Sequence, residues 1–201
     1  ERRWCQDAYL AGSAGLALYL DHRPVRDLDL MAPANRLTGP ERRDLLVDLL
    51  AIDDGFRVET ARDGFFYARS GSGVGLRLYH YPYPLIAPES EVLGVAVASP
   101  VDLGLMKIAA IISRGTRRDF VDLYLLCRHL SLDSLLEFSA DKFGHVRDFP
   151  LQALKGLADL SLTEGEPMPR LTATLEWSTV EEWILGEVRR LGRQATGIEG
   201  D

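Results

Sequence analysis

Residues 9–33, YLAGSAGLALYLDHRPVRDLDLMAP, restrict the fold more than any other part of the chain. A short apolar run leads into Gly-Ser, which is typical of a turn, and helix-forming residues follow until the next proline. The DLDL sequence after it has the two-residue period of a strand, so the segment predicts a strand, a turn, a helix and a second strand. Asp27 and Asp29 should lie on one face of that second strand. Leu28 and Leu30 should face the core on the other.

The character of the chain changes near residue 99. Before it, an amphipathic helix with Pro40 in its first turn ends near Gly55, and the runs FRVET, GFFYARS and GVGLRLYHYP are separated by turn residues, like the strands of a meander. After it, helical spacing predominates, with helix starts predicted near Ser99, Thr116, Ser131, Leu151 and Ser178. We therefore expect an α+β fold. Residues 1–98 should form a core with a small mixed sheet and flanking helices, and residues 99–201 a helical half that completes an active-site cleft.

Composition limits the class of protein. With 201 residues, of which 46% are hydrophobic, the chain can bury a core, and its net charge of -7 argues against broad adhesion to nucleic acid or anionic membranes. Any RNA contact should therefore be local. Cys5 and Cys127 have no metal-like spacing, so we expect free thiols in a reducing cytoplasm. No apolar run approaches the roughly 20 residues of a membrane helix, so we expect a soluble protein, and because the chain opens at Glu1 we expect its natural beginning to be missing.

The aspartates of the DLDL strand suggest a metal site. Their backbones should lie roughly 6.5–7 Å apart, so their carboxylates can converge on divalent ions that activate an attacking oxygen and stabilise leaving pyrophosphate. Hard oxygen ligands favour Mg²⁺. Gly12 and Ser13 open the preceding helix, where close backbone approach, N–H donors and a hydroxyl suit a phosphate. The residues thus predict a nucleoside triphosphate on the Gly-Ser turn with its metals on Asp27 and Asp29, and the alternative is a solvated strand face.

Three basic residues are candidates for phosphate contact. Lys107 is the one charge in the apolar run GLMKIAAII, which favours a functional role over a solvated helix lysine. Arg114 follows seven residues later, two turns along the same helix face. Arg23 follows the first helix and can reach phosphate, or equally pair with Asp21 or Asp27. The four histidines have no zinc spacing, so we expect them at the surface or at helix ends.

Two motifs carry a resemblance to a known family. GSAGLALYLDHRPVRDLDL resembles the Gly-Ser and Asp-x-Asp motif of the DNA polymerase β-like nucleotidyltransferase superfamily. SPVDLGLMKIAAIISRGTRRDFVDLYLL is similar to the Lys-x-x-Ala, Arg and Arg-Asp-x-x-Asp-Leu-Tyr pattern of bacterial abortive-infection toxins of the AbiEii/AbiGii type. In this order, with YHYPYPL between them, the motifs resemble that family over about the first two thirds of the chain.

The resemblance implies a polymerase β-like fold and a Mg²⁺-dependent enzyme that moves a nucleoside monophosphate from an NTP to an acceptor. In relatives the acceptor is a tRNA 3′ end or another molecule, and the enzyme is the toxin of a toxin–antitoxin pair, so a cognate antitoxin is implied. Lys107 would meet the triphosphate, and Asp119 would orient or deprotonate the acceptor hydroxyl, with Asp122 as its alternative or support. Asp119 also has a structural alternative, because it follows Thr116 by three residues and can complete a helix N-cap.

One departure from the superfamily concerns a third carboxylate. Many members supply it from a neighbouring strand, and Arg77 stands near that place in GVGLRLYHY. Either the site works with two aspartates plus substrate oxygens, or Glu59 substitutes, or catalysis has been lost. The alternatives to a toxin are therefore a catalytically degenerate NTP-binding protein of the same fold and an aminoglycoside-type nucleotidyltransferase, which shares the first motif.

Overall fold

The structure, a computed structural model, describes residues 7–87 and 89–196, except for the side chains of residues 195 and 196. Its strands are β1 (Tyr9–Ala11), β2 (Asp27–Ala32), β3 (Arg57–Arg62), β4 (Phe65–Arg69), β5 (Gly75–His80), β6 (Ser90–Val92) and β7 (Val95–Val97). Its α-helices are α1 (Gly12–Leu20), α2 (Gly39–Ile52), α3 (Pro100–Arg114), α4 (Arg117–Leu126), α5 (Leu132–Glu137), α6 (Ser139–Phe143), α7 (Phe149–Ala158) and α8 (Trp177–Thr196). A short 3₁₀ helix spans Ser161–Thr163. Over these described residues, no helix has both the length and the apolar character needed to cross a membrane.

The strands form a mixed sheet in the order β3-β4-β5-β2-β1-β7-β6. β1 runs antiparallel to β2 and parallel to β7, while β2 runs parallel to β5. The remaining neighbours are antiparallel. Parallel neighbours require a long crossover, and the β2-to-β5 connection supplies one that contains α2 and the β3–β4 hairpin. The predicted mixed sheet with flanking helices, followed by a helical region, is confirmed.

The chain divides into two compact units. The first, which we call the sheet unit, consists of the residues up to Tyr19 and of Val25–Ser99, and it contains all the strands named above. The second, which we call the helical unit, consists of Leu20–Pro24 and the residues from Pro100 onward. The five residues Leu20–Pro24, from the last residue of α1 to the proline before β2, therefore belong to the unit formed by the second half of the chain.

The core of the sheet unit forms between α2 and the sheet. Leu45 and Leu49, four residues apart on one face of α2, are buried in one cluster with Phe66 of β4 and Leu78 of β5. Full burial of such a side chain stabilises the folded state by about 1.5–3 kcal/mol. The cluster fixes α2 on β4 and β5, and β5 is a direct neighbour of β2.

Only the last two residues of β2, Met31 and Ala32, are buried. Leu30 packs against the core of the sheet unit, whereas Leu28 is 39% exposed. The prediction that both leucines face the core is therefore wrong for Leu28. Alternation determines the face on which a strand residue lies, but it does not determine how far along the strand the core extends.

The helical unit is organised around α3, which contacts α4, α5, α6 and α7. Gly104 of α3 permits close packing, because an added Cβ would lie 2.9 Å from Leu126 and 2.8 Å from Leu135. In the first turn of the same helix, Asp102 forms a 2.7 Å ion pair with Lys142 of α6, and both side chains are completely buried. Burial lowers the pKa of Lys142, against the opposing effect of Asp102.

The start of α8 and the edge strand β6 differ from what the sequence patterns predict. α8 begins at Trp177, so Ser178 lies inside the helix and not at the predicted N-cap. A reciprocal capping arrangement occurs before α2 instead, where the backbone N–H and the hydroxyl of Thr38 donate to Glu41. The sequence does not predict strand β6, because its three residues show no apolar alternation. All three of its side chains are exposed.

Candidate active site

Asp27 and Asp29 share a face of β2, where one arginine bridges them. Arg77 of β5 lies opposite Asp29 in the parallel register. Its Nη2 is 2.5 Å from Asp27 Oδ2, and its Nη1 is 3.3 Å from Asp29 Oδ1. Burial lowers the pKa of Arg77, but the two carboxylates raise it further, so the net shift is upward. We call these three residues the aspartate group.

Two glycines make room for the carboxylates. Gly12, the first residue of α1 and directly after β1, has a φ of +59°, and a Cβ there would lie 2.4 Å from Asp29 Oδ2. Gly75 is the register partner of Asp27, and a Cβ there would lie 2.3 Å from Asp27 Oδ1. Neither position has space for a side chain. Ser13 follows as the second residue of α1, so the Gly-Ser turn and the two aspartates meet at one place in the sheet unit.

Glu59 lies apart from the aspartate group. It belongs to β3, which is three strands away from β2, and its carboxylate accepts a 2.8 Å hydrogen bond from Arg69 Nε. Arg69 also lies 3.7 Å from Asp27, so a cation stands between the two acids. The role of Glu59 as a substitute third carboxylate stays a prediction, and this arrangement argues against it.

The carboxylates of Asp27 and Asp29 can contact one cation together, since the Arg77 guanidinium does so. Carboxylate oxygens are the ligands that Mg²⁺ prefers, so the donor chemistry fits a divalent ion on this pair. In the part of the chain that the structure describes, no group of three or more His, Cys, Asp and Glu side chains could hold a metal. Substrate oxygens would therefore have to complete the coordination of an ion bound here.

The second set of candidate residues forms a buried cluster in the helical unit. Lys107 Nζ, on α3, lies 3.0 Å from Asp119 Oδ1 and 3.0 Å from Asp122 Oδ2, both on α4. The lysine side chain is 5% exposed, and the two carboxylates are 1% and 0% exposed. We call these three residues the lysine group. Because Lys107 contacts both acids, two buried ion pairs connect α3 to α4.

Asp119 accepts hydrogen bonds from two further residues. Arg114 donates to it through Nε at 3.0 Å and Nη2 at 2.9 Å, and the Thr116 hydroxyl donates at 2.6 Å. Burial raises the pKa of Asp119, but its cationic and hydroxyl neighbours lower it more, so the net pKa is below the ordinary value. Thr116 is also the N-cap residue of α4. The two side chains bond each other, but Thr116 makes no side-chain cap hydrogen bond, so Asp119 contacts the N-cap residue without completing the capping arrangement that the spacing suggested.

Asp122, like Asp119, contacts two residues besides Lys107. Arg23 Nε and Nη2 donate to its two oxygens at 2.8 and 2.9 Å, and His22 Nε2 lies 2.9 Å from Oδ1. Burial raises the pKa of Asp122, but Lys107, Arg23 and His22 hold it well below the usual range. The carboxylate is therefore ionised across the physiological pH range.

The partners of Arg23 and His22 differ from those expected. Arg23 pairs with Asp122, an acid that was not among the alternatives of phosphate contact and of pairing with Asp21 or Asp27. His22 is 6% exposed, so of its two expected positions the surface is wrong, whereas a position near a helix end holds, since it follows the last residue of α1 by two. Both residues contact an acid about 100 positions away, and no local pattern signals a partner at that distance. His22 is the site residue that sequence reasoning missed.

In the mixed sheet the Gly-Ser turn lies against one of the two alternating aspartates on the neighbouring strand, which agrees with the motif that resembles nucleotidyltransferases. Residues 1–181 match the family described as Nucleotidyl transferase AbiEii toxin, Type IV TA system, and the chain belongs to this family. The resemblance identified from the two motifs is thereby confirmed.

Individual proteins are also similar to the chain. An uncharacterized protein of Aquifex aeolicus is 33% identical over 130 residues, which cover 62% of this chain and 59% of that protein. The chain thus matches less than two thirds of this relative's length. The solved structure of MenT4, a nucleotidyltransferase toxin of Mycobacterium tuberculosis H37Rv, is similar with a TM-score of 0.51 and 15% identity, over 90% of this chain and 75% of MenT4. At that identity the similarity to MenT4 shows the fold alone.

Proposed function

We propose that this protein transfers a nucleoside monophosphate from an NTP to an acceptor. The observation that carries the proposal is the contact between Gly12 and Asp29, because it joins a phosphate-binding turn to a carboxylate pair suited to a divalent ion. In the reaction an acceptor hydroxyl oxygen attacks the α-phosphorus of the NTP. The bond from that phosphorus to the β-phosphate oxygen breaks, pyrophosphate leaves, and the hydroxyl proton passes to a base or to water.

The sheet unit would bind the phosphates and the ion. Gly12 and Ser13 offer backbone N–H groups and a hydroxyl at the start of α1. Asp27 and Asp29 would hold Mg²⁺, which when bound neutralises phosphate charge and orients the reacting oxygens. Arg77 would withdraw from the carboxylates or turn to the substrate, because its guanidinium contacts the same oxygens.

The helical unit would supply positive charge to the triphosphate. We assign Lys107 and Arg114 to phosphate contact, since phosphoryl transfer depends mainly on positioning and charge neutralisation. Asp119 and Asp122 orient these cations by direct hydrogen bonds and ion pairs. For Asp119 we keep the additional role of orienting or deprotonating the acceptor hydroxyl, which requires it to release one of its donors when substrate binds. The proposal thus assigns half of the chemistry to residues 1–98 and half to residues 99–201.

The biological setting follows from the family. We propose that the protein is the toxin of a toxin–antitoxin pair of the abortive-infection type, acts in the cytoplasm, and is neutralised by a cognate antitoxin. A tRNA 3′ end is the first acceptor to test. The family favours this setting over aminoglycoside modification, since its description is that of a toxin. Expression without an antitoxin should slow growth, and Asp29→Ala or Lys107→Ala should relieve the effect.

A labelling experiment tests the activity directly. The purified chain is incubated with each α-³²P-labelled NTP, Mg²⁺ and total cellular RNA or protein, and label transfer is followed on gels. Asp29→Asn should reduce transfer by roughly 100-fold or more, because it removes a metal ligand and a charge from the site. Asp44→Asn, at an exposed aspartate of α2, is the matched control and should leave transfer unchanged. Equal transfer by both variants would refute the role of Asp29.

A catalytically degenerate NTP-binding protein is the second candidate function. The observation that favours it is Arg77, which lies beside Asp29 where many superfamily members have a carboxylate. This alternative predicts NTP binding without pyrophosphate release under any acceptor. Measuring NTP binding and pyrophosphate release on the same preparation separates the two functions.

A further inference from the structure

A cavity of about 250 Å³ lies in the helical unit, at the start of α4. It is bounded by the segment that holds Arg23, by the N-cap residue Thr116 and by the loop 166–170. Thr172, just beyond that loop, donates from its backbone N–H to the carbonyl of His22, and this hydrogen bond ties the loop to the segment before β2. The walls therefore come from three parts of the chain that the fold brings together.

The cavity carries an excess of positive charge. Arg23, Arg118 and Arg170 line it, against a single acid, Glu166. Glu166 is already engaged, because it accepts a 2.6 Å hydrogen bond from the backbone N–H of Arg117. Arg118 and Arg170 are exposed, and neither forms a hydrogen bond or ion pair within residues 7–87 and 89–196. An anion entering the cavity would meet two guanidiniums that are free to bind it.

Arg23 differs from the other two arginines because it is held in place. It is 8% exposed, and its Nε and Nη2 donate to Asp122. Its third nitrogen, Nη1, forms no hydrogen bond to any described residue. A buried arginine with one unused donor at the wall of a cavity is a preorganised anion contact, because little side-chain entropy is lost when a ligand binds.

The remaining walls are apolar. Pro24, Pro167, Met168 and Pro169 line the cavity beside the arginines. A small inorganic anion would leave this apolar surface in contact with water, whereas a nucleotide would cover it with its sugar or base while its phosphate meets the guanidiniums. The start of α4 adds a partial positive charge that also favours phosphate.

We infer that this arginine cavity binds a phosphate group of a nucleotide, either a free NTP or a nucleotide of an RNA acceptor. The anion site follows from the geometry, and its assignment to a nucleotide rests on the proposed function. Arg118 and Arg170 would hold the phosphate, and Arg23 would fix its position next to the lysine group, to which it is joined through Asp122.

The test compares ligand binding by two variants, each of which has two arginines replaced by alanine. Arg118→Ala/Arg170→Ala removes the two free guanidiniums of the cavity, and Arg128→Ala/Arg189→Ala removes two exposed arginines outside it. Each variant and the wild type are titrated with each of the four NTPs, and separately with a fluorescein-labelled single-stranded oligoribonucleotide. Thermal unfolding checks that both variants remain folded.

The cavity variant should bind one of the two probes about tenfold or more weakly than the control variant, because each lost guanidinium removes a charge-assisted contact. For the oligoribonucleotide the salt dependence should also fall, by about one unit of slope per lost contact. The probe that is affected identifies the source of the phosphate. Equal binding by the two variants, or failure of the wild type to bind either probe, would overturn the inference. The readout is binding, so an absence of transfer would refute the proposed function without deciding this test.

Discussion

Replacing Asp122 with asparagine should lower the stability of the folded protein far more than the small change in side-chain shape suggests. Asn keeps the volume of the side chain and removes its charge. The carboxylate is completely buried and neutralises Lys107 at 3.0 Å and Arg23 at 2.8 Å. Lys107 would keep Asp119 as a partner, but Arg23 would keep no acid. The variant therefore leaves an uncompensated buried charge.

The size of the effect follows from that geometry. Removing one partner of a buried ion pair costs about 3–5 kcal/mol, against a typical total stability of about 5–15 kcal/mol. With a urea m-value of about 2–3 kcal/mol/M, the midpoint of unfolding should fall by roughly 1–2 M. Circular dichroism in a urea titration measures it directly.

Asp133→Asn is the matched control. Asp133 also pairs with an arginine, Arg190 at 2.9 Å, but its side chain is 34% exposed. A solvated pair of this kind contributes about 0–1 kcal/mol, so the midpoint should hardly move. The reasoning would be refuted if Asp122→Asn destabilised the protein no more than Asp133→Asn.

The pH dependence of stability gives an independent check. In the folded protein, burial raises the pKa of Asp122, but its cationic neighbours lower it more, so it is well below the usual range. In the unfolded chain the pKa of an aspartate is about 3.9. Between these values the unfolded state binds more protons, so stability rises with pH. The contribution is complete above about pH 4 and is lost as the pH falls through the folded-state pKa. Asp122→Asn should therefore show a flatter acid limb than the wild type in urea titrations between about pH 2 and 6.

Three further variants test the sheet unit and the thiol. Gly12→Ala should cost about 1–3 kcal/mol more than Gly73→Ala in urea unfolding, because both have positive φ but only Gly12 faces a carboxylate oxygen at 2.4 Å; equal losses would contradict this. Arg77→Asp should tighten Mn²⁺ binding roughly tenfold in calorimetry by replacing a competing cation with a third carboxylate, and unchanged affinity would argue against a shared metal site. Burial raises the pKa of the Cys127 thiol to about 12, so in a Cys5→Ser background iodoacetamide at pH 8 should label it only after unfolding, and rapid labelling of the folded protein would exclude that value.

The local elements of the sheet unit could be predicted because their signals are local. Side-chain alternation in DLDL and the Gly-Ser turn give the β1–α1–β2 order, and Asp27 and Asp29 follow on one strand face. The pairing of β2 with β5 could not be read in the same way, since strand register depends on contacts distant in sequence. Arg77 was therefore recognised as a departure from a motif, but its bridge between the two carboxylates was not foreseen.

The cluster around Lys107 was predictable only in part. An isolated lysine in an apolar helix signals a buried charge, and Asp119 and Asp122 stand out in the RRDFVDLY motif. His22 and Arg23 carry no such signal, because their partner lies about 100 positions away. Sequence spacing identifies groups that share a helix or a strand, and it does not identify the distant segment that completes a charge cluster.

The segment Leu20–Pro24 has a consequence for how the chain can be made and cut. During synthesis Arg23 is translated about 100 residues before Asp122. Its guanidinium therefore cannot form this ion pair until Asp122 has also been synthesised. Closing so long a loop also slows folding, because its entropy is lost before the contact forms. A fragment that begins at Pro100 would lack both His22 and Arg23, which contact the buried carboxylate of Asp122. The junction at Ser99 is therefore a boundary between compact units and a poor place at which to split the gene.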